Sequence, residues 1–114
     1  MYVRWKRRLR DGREWYAAQV VASSRVGGKP RQRVVAYLGI ISATAYPEDR
    51  QQFWRGVDER LSTDAVPEAE RDQLAATVAA SVPRLTADEE AAIERRYARL
   101  RQLERRIQAA DAGM

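Results

Sequence analysis

The sequence predicts an α+β protein in which a three-stranded antiparallel β-meander is followed by three helices. Polar and apolar residues alternate with a period of two over the first forty residues, and from about residue 47 apolar residues recur every three or four positions. Glycine-containing turns divide the first part, and prolines divide the second. We therefore expect a basic sheet over residues 1–41, a helix packing on it over residues 42–62, and a helical hairpin over residues 63–114 that serves packing or self-association.

The first two strands form a hairpin around Asp11-Gly12. This pair favours a two-residue type I′ turn, which needs positive φ at both central positions. Such a turn pairs residue 10 with 13, residue 7 with 16 and residue 5 with 18. The side chains expected on the apolar face are Val3, Trp5, Leu9, Tyr16, Ala18, Val20 and Ala22. The two strands therefore agree on which face is buried.

The second turn lies near Val26-Gly27-Gly28. A two-residue turn would pair residue 20 with 35, whereas a three-residue loop or one bulge pairs 20 with 34. Because register follows the hydrophobic pattern when one face is buried, we expect the odd loop. It places Val34, Ala36, Leu38 and Ile40 on the buried face and leaves Lys29, Arg31, Arg33, Val35 and Tyr37 outside.

Three helices follow the sheet. Pro47 suits the first turn of a helix whose apolar residues Phe53, Trp54, Val57 and Leu61 cover the apolar face of the sheet. Pro67 begins a second helix that ends near Ser81, with a stripe formed by Leu74, Val78 and Val82. Thr86 and Glu89 form a capping box that starts a long third helix ending near Ala110.

The basic residues are concentrated in one third of the chain. Residues 1–37 hold ten Lys and Arg against Asp11 and Glu14, whereas residues 38–114 carry a net charge of −3. This asymmetry indicates a polyanionic partner for the first third. The residues predicted to bind nucleic acid on the outer sheet face are Arg4, Lys6, Arg8, Arg10, Arg13, Trp15, Gln19, Lys29, Arg31 and Arg33.

The outer face is interpreted as a surface for double-stranded DNA. Adjacent strands can enter a major groove, where guanidinium groups contact phosphates, and Gln19 is expected to address an adenine edge. One alternative is an acidic protein partner, and another is a face solvated by charge alone. RNA binding is a further alternative, favoured if Tyr2, Trp15 and Tyr37 stack on single-stranded bases.

Most catalytic sites are excluded by composition. The chain contains no Cys and no His, so a thiolate metal site and a Ser–His or Cys–His pair cannot be assembled. Two acidic clusters, Glu48-Asp49 and Asp88-Glu89-Glu90, lie at predicted helix starts, where compensation of the helix dipole accounts for them. We therefore expect no enzymatic activity, metal or cofactor. No apolar run is long enough for a membrane span, no signal peptide is recognised, and a cytoplasmic location is expected.

The third helix has a narrow apolar stripe made by Ile93, Tyr97, Leu100 and Ile107. Six arginines flank this stripe. The pattern is typical of a helix that packs on its own core or of one that associates with a second copy in a homodimer. A second contact with DNA is the remaining alternative.

Part of the sheet region resembles a known family. The matching residues are Ser24, Arg25, Gly28, Arg31, Gln32, Arg33, Tyr37, Leu38 and Gly39. They resemble the "R-x-x-G-x-x-R-Q-R" and "Y-L-G" segments in the N-terminal β region of bacterial insertion-sequence transposases with an acidic-triad core, with Ser23 and Ser24 where that region has a Glu-Ser pair. The resemblance covers residues 1–39, and residues 53–61 and 82–84 look like small bacterial proteins that share this region. It implies DNA handling without strand transfer, because the catalytic core is absent.

Overall fold

The computed structural model describes residues 1–113 and contains three strands followed by three helices, which confirms the α+β prediction. The strands are β1 (Tyr2–Arg10), β2 (Arg13–Val26) and β3 (Lys29–Ser42), and the helices are α1 (Pro47–Leu61), α2 (Glu68–Ser81) and α3 (Ala87–Ala112). The strands form one antiparallel sheet in the order β1-β2-β3. Residues 1–84 form one compact unit, and the residues from Leu85 onward form a second.

The predicted first hairpin is confirmed. Arg10 pairs with Arg13, and Trp5 pairs with Ala18. Asp11 and Gly12 have φ values of 50° and 75°, as a type I′ turn requires. This register places Val3, Trp5, Tyr16, Ala18 and Val20 on one face, as predicted, whereas Leu9 in phase with them is 67% exposed.

The predicted second hairpin is wrong in its turn and register. Val26 pairs with Lys29 across a two-residue turn in which Gly27 and Gly28 have φ values of 60° and 77°. Farther along, the pairing of β2 with β3 shifts register at two positions. The first shift pairs Val20 with Ala36 and not with residue 34. The Gly-Gly pair permits the tightest turn because neither residue has a Cβ that would oppose positive φ.

The two shifts are β-bulges that add one residue of β3 each. Val35 has no partner between the Val21–Val34 and Val20–Ala36 pairs, and Leu38 has none between the next two pairs. Leu38 is fully buried in the core and Val35 packs against it. Val35 was expected outside and Val34 and Ile40 inside, and these three expectations are wrong. The two-residue turn pairs Val34 with Val21 on the face opposite the core, and Val35 enters the core as the first bulge residue. After the second bulge, Ile40 pairs with Ala17, which also lies on the face opposite the core.

The core lies between one face of the sheet and the first two helices. We call this face of the sheet the helix face; Val3, Trp5, Tyr16, Ala18 and Val20 lie on it. The predicted stripes of α1 and α2 are confirmed, since the residues buried there are Phe53, Trp54, Val57, Leu61, Leu74 and Val78. Hydrophobic burial of these side chains stabilises the unit of residues 1–84.

Two small residues, Ala18 and Gly39, let α1 approach the sheet closely. Trp5 pairs with Ala18, and Ala18 pairs with Gly39 at the second bulge. The Phe53 ring lies over Gly39 and stacks on Trp5 with ring centroids 6.1 Å apart. A Cβ at Gly39 would lie 3.2 Å from Cδ2 of Phe53, so glycine is needed for this contact.

The segment after α2 is held on α1 by two side chains. The indole Nε1 of Trp54 donates a hydrogen bond of 3.0 Å to the carbonyl oxygen of Val82. The guanidinium of Arg84 lies 3.9 Å from the Trp54 ring centroid and donates to both carboxylate oxygens of Asp58, at 2.8 and 3.0 Å. The pKa of Arg84 is raised, first by its hydrogen bond to Asp58.

The third helix starts as predicted and runs slightly beyond its predicted end. Thr86 and Glu89 form the capping box: the Glu89 backbone N–H donates to Oγ1 of Thr86, and the Thr86 N–H donates to Oε1 of Glu89. The helix ends at Ala112, with Gly113 as its C-cap. Within residues 1–113, no helix is long and apolar enough to cross a membrane.

Candidate nucleic-acid interface

The side of the sheet opposite α1 carries the predicted basic surface of β1. We call it the open face; it contains Arg4, Lys6, Arg8, Arg10, Arg13, Trp15, Ala17, Gln19, Tyr37 and Ile40. Three rows cross the strands, because paired residues project to the same side. They are Arg8–Trp15–Ser42, Lys6–Ala17–Ile40 and Arg4–Gln19–Tyr37. Each row therefore has a cation on β1, and Trp15, Ile40 and Tyr37 lie on β2 and β3.

The cations of β1 form a line along the open face. Arg4, Lys6, Arg8 and Arg10 occupy alternate positions, so successive cations are about 7 Å apart by strand geometry. Among residues 1–113, neither Lys6, Arg8, Arg10 nor Arg13 forms an ion pair. We call Arg4, Lys6, Arg8 and Arg10 the cation line. Like charges this close repel one another, so the line favours an anionic partner.

The one acidic residue of β2, Glu14, points away from this line. Glu14 pairs with Leu9 on the helix face, where the Arg7 guanidinium donates to its Oε1. The Tyr16 hydroxyl donates to Oε2 of Glu14 at 3.0 Å, which raises the pKa of Tyr16. The predicted position of Glu14 away from the basic face is therefore confirmed. The Glu14 carboxylate therefore does not pair with the cation line, because it binds Arg7 and Tyr16 on the opposite side of the sheet.

Lys29, Arg31 and Arg33 do not join the open face, which corrects the sequence prediction. They pair with Val26, Ser24 and Ala22, positions in phase with Val20 on the helix face. The reason is the two-residue Gly27-Gly28 turn, which shifts each side chain of this part of β3 to the opposite side from that expected. Gln32 lies on the open face instead, since its Oε1 accepts from Nη1 of Arg4 at 3.4 Å.

These three cations belong to a two-stranded ribbon that extends beyond β1. β1 ends its pairing at Val21, so residues 22–33 of the second hairpin have no third strand beside them. Apart from the half-buried Ala22, these residues are exposed. The ribbon carries Arg25, Lys29, Arg31 and Arg33 and no acid. The basic residues therefore form two surfaces, the cation line and the ribbon.

Gln19 is buried, contrary to its expected position at an exposed base-reading site. Its side chain is 0% exposed, and its Oε1 accepts from Nη2 and Nε of Arg4 at 2.8 and 3.3 Å. Its Nε2 has no hydrogen-bond partner among the described residues. Gln19 lies in the central strand, where longer side chains of both neighbours cover it, and so it positions Arg4 and does not face solvent.

Aromatic and apolar side chains surround a hollow beside the cation line. The hollow has a volume of about 280 Å³, and Ala17 forms part of its floor. Trp15 is half-buried, whereas the side chains of Tyr37 and Ile40 are 57% and 50% exposed. The cations lining it are Arg8, Arg10 and Arg60, and no acid lines it. The hollow thus joins exposed ring surface to positive charge.

Sequence reasoning missed three parts of this hollow. Ile40 was assigned to the core, and Arg60 lies on α1 outside the region examined for binding. Arg60 reaches the β3 edge, where its Nη1 donates to the carbonyl oxygen of Leu38 at 3.0 Å. Tyr37 was expected to be exposed, which is confirmed, but it was considered only for the RNA alternative. The Gly56 position, one turn before Arg60, was the available signal for a close approach between α1 and β3.

A second hollow adjoins the first between β3 and α1. It has a volume of about 600 Å³ and shares Trp15, Ile40 and Arg60 with its neighbour. Arg55 and one acid, Asp49, also line it. A further hollow of about 460 Å³ lies on the helix side, between residues such as Trp5, Tyr16 and Val82, and has no charged lining residue. Of these three hollows, the two beside β3 suit an anionic ligand.

The apolar stripe predicted on α3 is mostly accessible. Ile93 is buried, whereas Tyr97, Leu100 and Ile107 are about half-exposed, as is Leu103 beside them. Between residues 95 and 107 the helix carries six arginines and the single acid Glu104. Self-association through this stripe stays a prediction. Because the arginines of two paired copies would repel one another, we expect it to depend on salt.

Two acidic residues at the starts of helices hold backbone N–H groups there. Glu89 is engaged in the cap of α3, and Oδ2 of Asp49 accepts from the backbone N–H of Tyr46 at the start of α1. No group of three or more acidic side chains in residues 1–113 converges so as to hold a metal ion.

Comparison of the chain with family models, curated proteins and solved structures finds no match. The resemblance to transposase N-terminal regions stays a prediction.

Proposed function

We propose that this protein binds nucleic acid without catalysing its cleavage, and that double-stranded DNA is a ligand. The observation that carries the proposal is the cation line, in which Lys6, Arg8 and Arg10 lie in phase and form no ion pair among the described residues. Their spacing is comparable to that of successive phosphates along a strand. Phosphate contacts supply most of the affinity in such complexes and position the protein.

The ribbon of residues 22–33 supports duplex DNA as a ligand. A major groove about 12 Å wide admits a two-stranded β-ribbon. Arg25 projects from one side of the ribbon, and Lys29, Arg31 and Arg33 project from the other. The ribbon can therefore contact phosphates on both sides of a groove, while the cation line contacts the backbone nearby.

Salt titration of binding to duplex DNA tests the proposal with a matched pair of variants. Arg8→Ala removes a cation of the open face, and Arg7→Ala removes its neighbour on the helix face. We expect Arg8→Ala to flatten the slope of log K against log salt by about 0.9, and Arg7→Ala to leave it nearly unchanged. Equal effects would mean that net charge alone matters, and the open face would then not be the binding surface.

The absence of catalysis is tested on the same ligand. Metal-dependent cleavage would need acidic residues drawn together around a metal ion. We expect purified protein to leave DNA intact with Mg²⁺ or Mn²⁺. Metal-dependent cleavage that disappears in Asp88→Ala or Glu90→Ala would contradict this part of the proposal. Failure to bind any nucleic acid would instead favour an acidic protein as the partner of the cation line.

A further inference from the structure

We propose that the hollow between Trp15 and Tyr37 binds an unpaired nucleic-acid base, so that the open face takes single-stranded nucleic acid in addition to the backbone of a duplex. This inference rests on the proposed function, because it assigns a ligand class to the same face. The hollow lies beside the cation line, which suggests a simple division of contacts. Phosphates follow β1, and bases lie over β2 and β3.

The floor and walls of the hollow suit a flat ring. Ala17 sits between Lys6 and Ile40 in its row, and its small side chain leaves room that the larger neighbours border. The rings of Trp15 and Tyr37 and the side chain of Ile40 line the space. Its volume of about 280 Å³ lies near the lower end for small-molecule sites, about 300 Å³.

The hollow presents exposed ring and apolar surface beside cations. Tyr37 and Ile40 are at least half-exposed although both lie on the middle stretch of β3. Exposed aromatic side chains among cations are the pattern by which proteins stack unpaired bases. In a duplex, both faces of each base are already covered by stacked neighbours. Only an unpaired base offers a free face to Trp15 or Tyr37.

The charge around the hollow is of one sign. Arg8 and Arg10 border it from β1, and Arg60 borders it from α1 at the opposite edge. Arg60 is fixed there by its hydrogen bond to the carbonyl oxygen of Leu38. A base that reaches over the hollow from a backbone along β1 would therefore have guanidinium groups at its near and far edges, and no acid lines the hollow.

The experiment compares two single strands that differ only in their bases. One is a thymine-rich oligodeoxynucleotide of about 12 nucleotides, and the other has abasic sites at its central positions. Binding is measured by fluorescence anisotropy at several salt concentrations. We expect the base-bearing strand to bind about tenfold more tightly, because stacking is lost with the base while each phosphate remains.

Two variants address the hollow without changing its charge. Tyr37→Ala removes an exposed ring, and Ala17→Leu fills the floor. Both are expected to abolish the preference for the base-bearing strand while leaving the salt slope unchanged. Tyr46→Ala is the matched control, since Tyr46 is 66% exposed and does not line the hollow. Circular dichroism of each variant verifies the fold, and Tyr37→Ala suffices if Ala17→Leu does not fold.

The outcomes separate this inference from the proposed function. Equal binding of both strands with a steep salt slope would overturn the base site and leave the cation line as a phosphate-binding surface. A duplex that competes better than the base-bearing strand, with no effect of Tyr37→Ala, would likewise overturn it. If neither strand nor duplex binds, the proposed function itself fails.

Discussion

The guanidinium of Arg4 holds the buried amide of Gln19 by two hydrogen bonds, of 2.8 and 3.3 Å, from adjacent strands of the sheet. The same guanidinium reaches Gln32 on β3 at 3.4 Å. Arg4 therefore spans all three strands on the open face. The first cation of the line is positioned by a buried side chain, whereas Lys6, Arg8 and Arg10 have no such support among the described residues.

Gln19→Ala should lower the free energy of unfolding by about 2 kcal/mol, because it removes a fully buried side chain and the partner of Arg4. Gln32→Ala is the control, since Gln32 also accepts from Arg4 but is exposed, and it should cost less than about 0.5 kcal/mol. Urea denaturation measures both. Equal losses in the two variants would show that burial of Gln19 contributes little.

Gly39→Ala should destabilise the unit of residues 1–84 by about 2 kcal/mol. Gly39 has a φ of +156°, and its added Cβ would meet the Phe53 ring at 3.2 Å. Gly28→Ala separates the two causes, because Gly28 has positive φ but no atom within 4 Å of its added Cβ, and should cost about 1 kcal/mol. Thermal unfolding measures the difference. A Gly39 variant no less stable than the Gly28 variant would contradict the close approach of Phe53.

The raised pKa of Tyr16 predicts a loss of stability at alkaline pH. The hydrogen bond to Glu14 is the largest cause, followed by the negative charge of that carboxylate. Its folded-state pKa lies above its unfolded value of about 10, so the contribution is complete below pH 10 and is lost as pH rises through the raised value. Denaturation midpoints measured from about pH 9 to 11 should fall more steeply for the wild type than for Tyr16→Phe. Parallel curves would contradict the interaction.

Self-association through α3 should strengthen with salt, opposite to nucleic-acid binding. Pairing two copies along Tyr97, Leu100 and Ile107 brings arginines of both helices together, and salt screens their repulsion. Sedimentation at ionic strengths of about 0.01 and 1 M, where the Debye length falls from about 30 to 3 Å, measures this dependence. Leu100→Glu should keep the protein monomeric, whereas Ala98→Glu adds the same charge on the opposite side of the helix and should not. A monomer at each salt concentration would remove the prediction.

Features that depend on neighbouring residues could be predicted from the amino-acid sequence. Asp11-Gly12 set the first turn and thereby the register of β1 on β2. Thr86 and Glu89 set the start of α3, and Pro47 set the start of α1. Each signal lies within a few residues of the structure it produces, because turns and caps are made by local backbone groups. The cations of β1 were predicted on the correct face for this reason.

Packing between distant residues set the register of β3 beyond Val34 and the accessibility of the open face. Several registers of β3 alternate apolar and polar residues, so the pattern alone did not distinguish them. The choice came from Leu38 and Val35, which enter the core as bulge residues, and from the fit of Phe53 against Gly39. The burial of Gln19 likewise depends on the Arg4 side chain of an adjacent strand. Such contacts join residues far apart in the chain, and packing, not local propensity, selects among them.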